Sequence, residues 1–389
     1  MSPSPVTYTL PTQPASYAWE ATDEEVAARY GVDAGRIVRF DLNSSPTPPA
    51  LAARIMAAGR FQTTLSDYPP GDYRELTEAA AATHGVTRQE ILVGAGADEI
   101  LDLCAKAFLP PGATAVSPTP TYAMYRVVTE QRPARFVAAA RRPATQGWAI
   151  DVDATRAAVR DHGAAIVWYA DPNNPTGTTD PVGSTQALLE AVAADADADD
   201  RQPPIVVRDE AYSEFVGRTD IELRHRFPNL VIVRTASKAY ALAGLRVGFA
   251  IGTPGTISRI SRYRPPSSIS TVSSTVVTEA LRDPTEMRAN LARVARERPR
   301  LASALEGAGW RPGRSVVNFL LLDFGAPQRA SAVAEALLRR GLVPRTFGAG
   351  HELAHCLRVT VRTEADDDRL IEAAREIERE LATPREATA

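Results

Sequence analysis

Between about residue 90 and residue 250, short uninterrupted apolar runs alternate with stretches in which apolar residues recur every three or four positions. A strand covered on both faces reads as a continuous apolar run, and amphipathic stretches between such runs supply the covering helices. The pattern predicts seven strands, at Ile91–Val93, Thr114–Ser117, Arg135–Ala138, Ala165–Ala170, Ile205–Arg208, Leu230–Arg234 and Val247–Ile251. Strands alternating with helices predict an α/β fold with a mainly parallel seven-stranded sheet. Ligands of such sheets bind beyond the carboxyl ends of the strands. The distinctive polar segments fall there: 94–99, 171–177, 209–212 and 235–238.

After Pro265-Pro266 the pattern changes. One long helical stretch is expected from Thr271 to Gly307, then a strand at Asn318–Leu322, a helix at Ala330–Arg340, a strand at Cys356–Val361 and a last helix at Asp366–Leu381. The expected organisation is an N-terminal arm over residues 1–43, packed with the small domain, a large domain over 44–265 and a smaller α+β domain over 266–389.

Composition narrows the class. The 389 residues carry a formal net charge of −3 with no basic stripe, which argues against a nucleic-acid partner. No apolar run approaches a membrane span, and the segment from Met1 to Gln13 lacks a signal core, so a cytoplasmic protein is expected. Cys104 and Cys356 lie far apart and read as free thiols of a reducing compartment.

Of the 44 lysine and arginine residues only two are lysines, Lys106 and Lys238. A guanidinium stays charged, whereas an ε-amine can lose its proton and attack a carbonyl, so a retained lysine is a candidate nucleophile. Lys106 lies on a helical stretch whose other face carries Ile100, Cys104 and Phe108, and Asp102 is spaced to pair with it, so it reads as a surface charge. Lys238 follows an apolar strand and is flanked by small residues, the setting in which a reactive group is presented.

Three other clusters carry candidate chemistry. Gly94-Ala95-Gly96-Ala97-Asp98-Glu99 joins a strand to a helix, where free backbone N–H groups favour an anion, although such turns are common without one. No Gly-Lys-Ser/Thr follows, so a nucleoside triphosphatase has little support. Asp171-Pro172-Asn173-Asn174-Pro175-Thr176-Gly177 fixes a rigid turn in which Asn174 either donates to a ligand or merely caps the turn. Asp209 ends a strand just before Tyr212, and its carboxylate pairs either with a ligand cation or with an arginine such as Arg208. An amine, a carboxylate, an amide, a phenol and an anion cradle together suit pyridoxal 5′-phosphate, with its aldehyde, ring nitrogen, phenolic oxygen and phosphate.

Asn173-Asn174-Pro175-Thr176-Gly177, Asp209-Glu210-Ala211-Tyr212 and the segment from Ser237 through Lys238 and Gly244 to Arg246 occur in order. With them the chain resembles the fold-type I pyridoxal-phosphate aminotransferases, most closely the histidinol-phosphate aminotransferase family. The resemblance implies Lys238 as the Schiff-base lysine, Asp209 on the ring nitrogen, Asn174 and Tyr212 on the phenolic oxygen and Tyr122 stacked on the ring. Thr235, Ser237, Arg246 and the backbone of Ala97 and Asp98 would bind the phosphate. Tyr68 would complete the neighbouring subunit's site, which implies a homodimer. Arg358 would hold the α-carboxylate of an amino or oxo acid, Arg345 would be the second substrate arginine, which meets the phosphate of histidinol phosphate, and Tyr17 would lie near that phosphate.

The implied reaction moves an amino group from an amino substrate, histidinol phosphate first, to a 2-oxo acid such as 2-oxoglutarate. Two departures lie near the substrate entrance. Asn43-Ser44-Ser45-Pro46 lacks the glutamate of the family's Asn-Glu-Asn-Pro, and Tyr17-Ala18-Trp19-Glu20 lacks the usual Pro-Gly. An aromatic or other amino-acid aminotransferase and a threonine-phosphate decarboxylase-like enzyme remain alternatives. A pyridoxal-phosphate-binding regulator would need a DNA-binding domain, for which no room is seen before Tyr17.

Overall fold

Alternate residues of the central strands separate onto two apolar faces, which is why their sequences read as unbroken runs. In the computed structural model, which describes residues 15–382, Val167 and Tyr169 face one core while Ile166, Trp168 and Ala170 face the other. Leu230 and Ile232 divide from Val231 and Val233 in the same way. The outer parts of the expected arm and small domain, residues 1–14 and 383–389, lie outside the described residues.

The strands are β1 (Val38–Arg39), β2 (Ile91–Gly94), β3 (Thr114–Thr119), β4 (Arg135–Ala140), β5 (Ile166–Ala170), β6 (Ile205–Asp209), β7 (Leu230–Thr235), β8 (Gly248–Ile251), β9 (Phe319–Asp323), β10 (Leu342–Val343) and β11 (Cys356–Thr360). Seven of them form one sheet in the order β2-β8-β7-β6-β5-β3-β4. All neighbours are parallel except β8, which runs against both β2 and β7. The α/β fold and the seven strands of the sequence pattern are thus present, with ends shifted by a residue or two.

Helices Arg74–His84, Val152–His162, Ser184–Ala198 and Thr271–Arg282 cover one face, and Gly96–Phe108, Met124–Glu130 and Pro254–Ser261 cover the other. A second core gathers Val38, Phe40, Leu301, Leu305, Trp310, Leu320, Leu357 and Ile377, among others, around the antiparallel pair β9–β11. Strand β1 pairs in parallel with β10, which ties the chain before residue 43 to this second body.

The long helical stretch expected from Thr271 to Gly307 is two helices, Thr271–Arg282 and Thr285–Gly307. Pro284 cannot donate the hydrogen bond that would continue the first, and it precedes the second, where no partner is needed. The first helix buries Val276, Val277 and Leu281 in the large core, and the second gives Leu301 and Leu305 to the small one. The packing partner therefore changes at Pro284, later than the sequence break at Pro265-Pro266. Among the described residues no helix is long and apolar enough to cross a membrane.

Candidate active site

The carboxyl ends of β5, β6 and β7 open into a cavity of about 740 Å³ whose far wall comes from the small body and the residues before β1. Every residue singled out for the site lines it except Tyr68: Tyr17, Ala97, Asp98, Tyr122, Asn174, Asp209, Tyr212, Thr235, Ser237, Lys238, Arg246, Arg345 and Arg358. Tyr68 is 86 % exposed and lies outside the cavity lining.

Lys238 enters from the turn after β7, and its Nζ makes no hydrogen bond or ion pair among the described residues. It stands over the ring of Tyr212, with Nζ 5.7 Å from the centroid. Burial, together with the positive charge of Arg358, lowers its pKa to about 8, so a substantial neutral fraction exists near neutrality. Lys106, by contrast, pairs with Asp102 at 2.6 Å on a half-exposed helix face, as its spacing predicts.

Asp209 ends β6 with its side chain turned into the cavity. It accepts hydrogen bonds from the Tyr125 hydroxyl at 2.8 Å and from the Ala211 N–H at 2.9 Å, and among the described residues it has no cationic partner within ion-pair distance. Arg208 does not pair with it, because successive strand residues face opposite ways. The Arg208 guanidinium meets Asp171, Glu210 and Asp220 instead. Burial without a counter-charge raises Asp209 to about 6.

The helix Gly96–Phe108 points its first turn at the cavity with no side-chain cap. Its uncapped N–H groups are donors for an anion. Gly248 permits this arrangement, since a Cβ there would stand 2.5 Å from the Ala97 nitrogen. Thr235 Oγ1 lies 2.9 Å from Ser237 Oγ, and Arg246 reaches Asp98 at 3.1 Å. Tyr122 donates to Asp98 at 3.0 Å.

At the other end Arg358 is 6 % exposed yet makes no ion pair among the described residues. It donates only to neutral acceptors, Asn174 Oδ1 at 2.6 Å and the Asp41 carbonyl at 2.5 Å, and its Nε is unpartnered. A buried guanidinium without a counter-ion is costly, and a ligand carboxylate would complete it. The bond from Arg358 leaves the Asn174 amide Nδ2 free to donate, and Tyr212, raised to about 12 chiefly by burial, accepts from Asn43 Nδ2 at 3.0 Å.

Several contributors escape the motif reading. Tyr125 bonds Asp209, Asn43 bonds Tyr212, and Asp41, Leu42 and Met124 add to the lining. Tyr125 lies three residues after Tyr122, at the start of the helix Met124–Glu130, a spacing that could have flagged it. Asn43 shows only as part of the altered Asn43-Ser44-Ser45-Pro46 segment.

The family model for aminotransferase class I and II matches residues 38–374. The chain belongs to this family. The aminotransferase is 34 % identical over 360 residues to a histidinol-phosphate aminotransferase of Roseiflexus castenholzii, covering 91 % of the chain and 93 % of that relative. It is 34 % identical over 337 residues to one from Rhodopseudomonas palustris, with 85 % and 87 % covered. A solved structure of histidinol-phosphate aminotransferase from Sinorhizobium meliloti in complex with pyridoxal-5′-phosphate superposes with a TM-score of 0.84 at 25 % identity, over 94 % of this chain and 96 % of that one. The fold also matches an aspartate aminotransferase from Thermus thermophilus, with a TM-score of 0.74 at 22 % identity and 92 % and 97 % covered.

The aminotransferase therefore uses pyridoxal phosphate. Its own residues fit that group: an unpaired amine, a buried carboxylate lacking a cation, and an uncapped helix start beside Thr235 and Ser237.

Proposed function

We propose that this aminotransferase takes the amino group of histidinol phosphate and delivers it to a 2-oxo acid such as 2-oxoglutarate. The observation that carries the substrate reading is the pair Arg358 and Arg345, which line the cavity holding Lys238 and join by backbone bonds of 2.9 and 3.0 Å. Histidinol phosphate carries one anion, its phosphate, which two guanidiniums can grip together, and a 2-oxo acid such as 2-oxoglutarate offers them two carboxylates in turn. The names of the relatives that match nine-tenths of the chain support the same substrate.

Lys238 would hold the cofactor through a Schiff base. Asp209 would pair with the ring nitrogen, Asn174 and Tyr212 with the phenolic oxygen, and Tyr122 would lie against the ring. Ala97, Asp98, Thr235, Ser237 and Arg246 would bind the phosphate, and Tyr68 would reach it in a partner copy's site, making the enzyme a homodimer. Bound pyridoxal phosphate supplies an electron-accepting ring that stabilises negative charge at the substrate Cα. Around it, Asp209 keeps the ring nitrogen protonated, Arg358 orients the substrate, and the Lys238 amine takes the Cα proton, a task matched to a pKa near 8. The two free, buried cysteines suit a cytoplasmic location.

A donor panel tests this reading: the holoenzyme is mixed with histidinol phosphate, aromatic amino acids or glutamate, and conversion to pyridoxamine phosphate is followed. Histidinol phosphate should give the largest kcat/KM, and a clearly better donor would overturn the substrate. Lys238→Arg should lower turnover with every donor at least about a thousandfold. A variant that keeps its activity would remove Lys238 from its role.

A further inference from the structure

Asn43 opens the segment Asn43-Ser44-Ser45-Pro46, is 1 % exposed and adopts a left-handed backbone conformation with φ +52°. Asparagine enters this region more readily than most residues, but a buried residue stays there only where its surroundings fix it. The small body does so. The Asn43 N–H donates to Thr360 Oγ1 at 3.0 Å, and its carbonyl accepts from Asn318 Nδ2 at 3.0 Å. Thr360 ends β11 and Asn318 leads into β9. Just before, the Asp41 carbonyl accepts from Arg358, while Phe40 donates to Val343 and accepts from Thr360 through its backbone. The chain after β1 is therefore fastened to the small body at Phe40, Asp41 and Asn43.

The Asn43 side chain crosses to the large body. Its Nδ2 donates to the Tyr212 hydroxyl at 3.0 Å, the one hydrogen bond of that hydroxyl among the described residues. Tyr212 follows β6 and lines the cavity with Lys238. The charged groups that face the phenol are Arg358, Asp209, Asp98 and Lys238, and none of them hydrogen-bonds it. A phenol hydroxyl has one hydrogen and two lone pairs. With a lone pair taken by Asn43, the hydrogen remains for an acceptor in the cavity, and a hydroxyl that already accepts a bond donates the next one more strongly.

We propose that Asn43 is a positioning residue: it turns the Tyr212 hydroxyl hydrogen towards the cofactor's phenolic oxygen and strengthens that donation, so that the small body sets the proton balance of the bound cofactor through Tyr212. The inference rests on the reading that Tyr212 meets the phenolic oxygen. Donation to that oxygen favours the form of the bound cofactor that has lost a proton, because more negative charge lies there. Loss of the Asn43 bond therefore raises the pH at which the bound cofactor gives up that proton.

The test follows the cofactor absorbance of the holoenzyme against pH in wild type, Asn43→Gly, Tyr212→Phe and the double variant. Glycine keeps the left-handed backbone without steric cost and removes the amide. Tyr212→Phe should raise the midpoint by about one pH unit, and Asn43→Gly by about 0.3 to 0.7, since it weakens the donation without removing it. In the double variant Asn43→Gly should add nothing to Tyr212→Phe, because its route is already gone. A second substitution, Asn43→Asp, offers an acceptor where the amide offered a donor, and should raise the midpoint more beside Tyr212 than beside Phe at that position. Equal rises in the two backgrounds, for either substitution, would mean that Asn43 acts by its charge or by general support, and the positioning role falls. A shift in Tyr212→Phe with none in Asn43→Gly overturns the inference and leaves the Tyr212 reading standing. No shift in Tyr212→Phe overturns the Tyr212 reading and the inference with it.

Discussion

Asp209 shows what a single buried charge costs the protein before its ligand arrives. Its pKa rises from the ordinary 3.8 to about 6, so on unfolding the carboxyl releases its proton more readily than in the folded chain. Stability therefore falls as the pH rises from about 4 to 6, by up to about 3 kcal/mol, and the full loss persists above 6. Asparagine at this position removes the charge, keeps one oxygen to accept from the Ala211 N–H, and sets its Nδ2 towards the Tyr125 hydroxyl, which can turn to accept. The cofactor-free Asp209→Asn protein should therefore melt above cofactor-free wild type at pH 7.5, with the gap narrowing towards pH 4, even though its holoenzyme is impaired. Thermal melts of both cofactor-free proteins decide this, and no gain at pH 7.5 would sink it. Residues whose chemistry is written in a local motif, such as Lys238, Asp209 and Asn174, were legible in the sequence. Residues that enter through remote pairings were not: Asn43 meets Tyr212 across 169 positions, and Tyr125 meets Asp209 across 84.

Among the elements, the strands of the large sheet were readable because burial on both faces leaves a continuous apolar signal. The helical stretch after residue 270 was not divided correctly, since helical periodicity resumes immediately after Pro284 and the two halves differ only in the core they face. The joint of β8 with the start of helix Gly96–Phe108 carries a sharper consequence. A Cβ at Gly248 would also stand 2.5 Å from the Gly96 carbonyl carbon, backbone that cannot swing aside. Gly248→Ala should destabilise the protein by about 1–3 kcal/mol and displace the helix start that lines the cavity and is proposed to bind the cofactor phosphate. Cofactor titration should then show at least about tenfold weaker binding than wild type, whereas unchanged melting and affinity would mean that the contact relaxes freely.

Across the whole molecule, the cavity is built from residues on both sides of β1, from the ends of the sheet and from the small body, so its assembly draws on segments from residue 17 to residue 358. Tyr68 is the predicted site residue that this single chain leaves outside, and its exposure fits a role in a partner copy. Mixing Lys238→Ala subunits with Tyr68→Ala subunits should restore activity, because each hybrid dimer regains one site with both residues native. Activity no greater than that of the separate variants, after mixed dimers have been verified, would place Tyr68 outside the partner's site. The two lysines have a practical consequence at this scale. Lys106 is nine residues along its helix from Ala97, roughly 13 Å from the end that lines the cavity, and is partly exposed. If Lys238 holds the cofactor as proposed, Lys106 is the one other lysine side chain, so a dye coupled through a lysine would sit on this helix, away from the cavity lining.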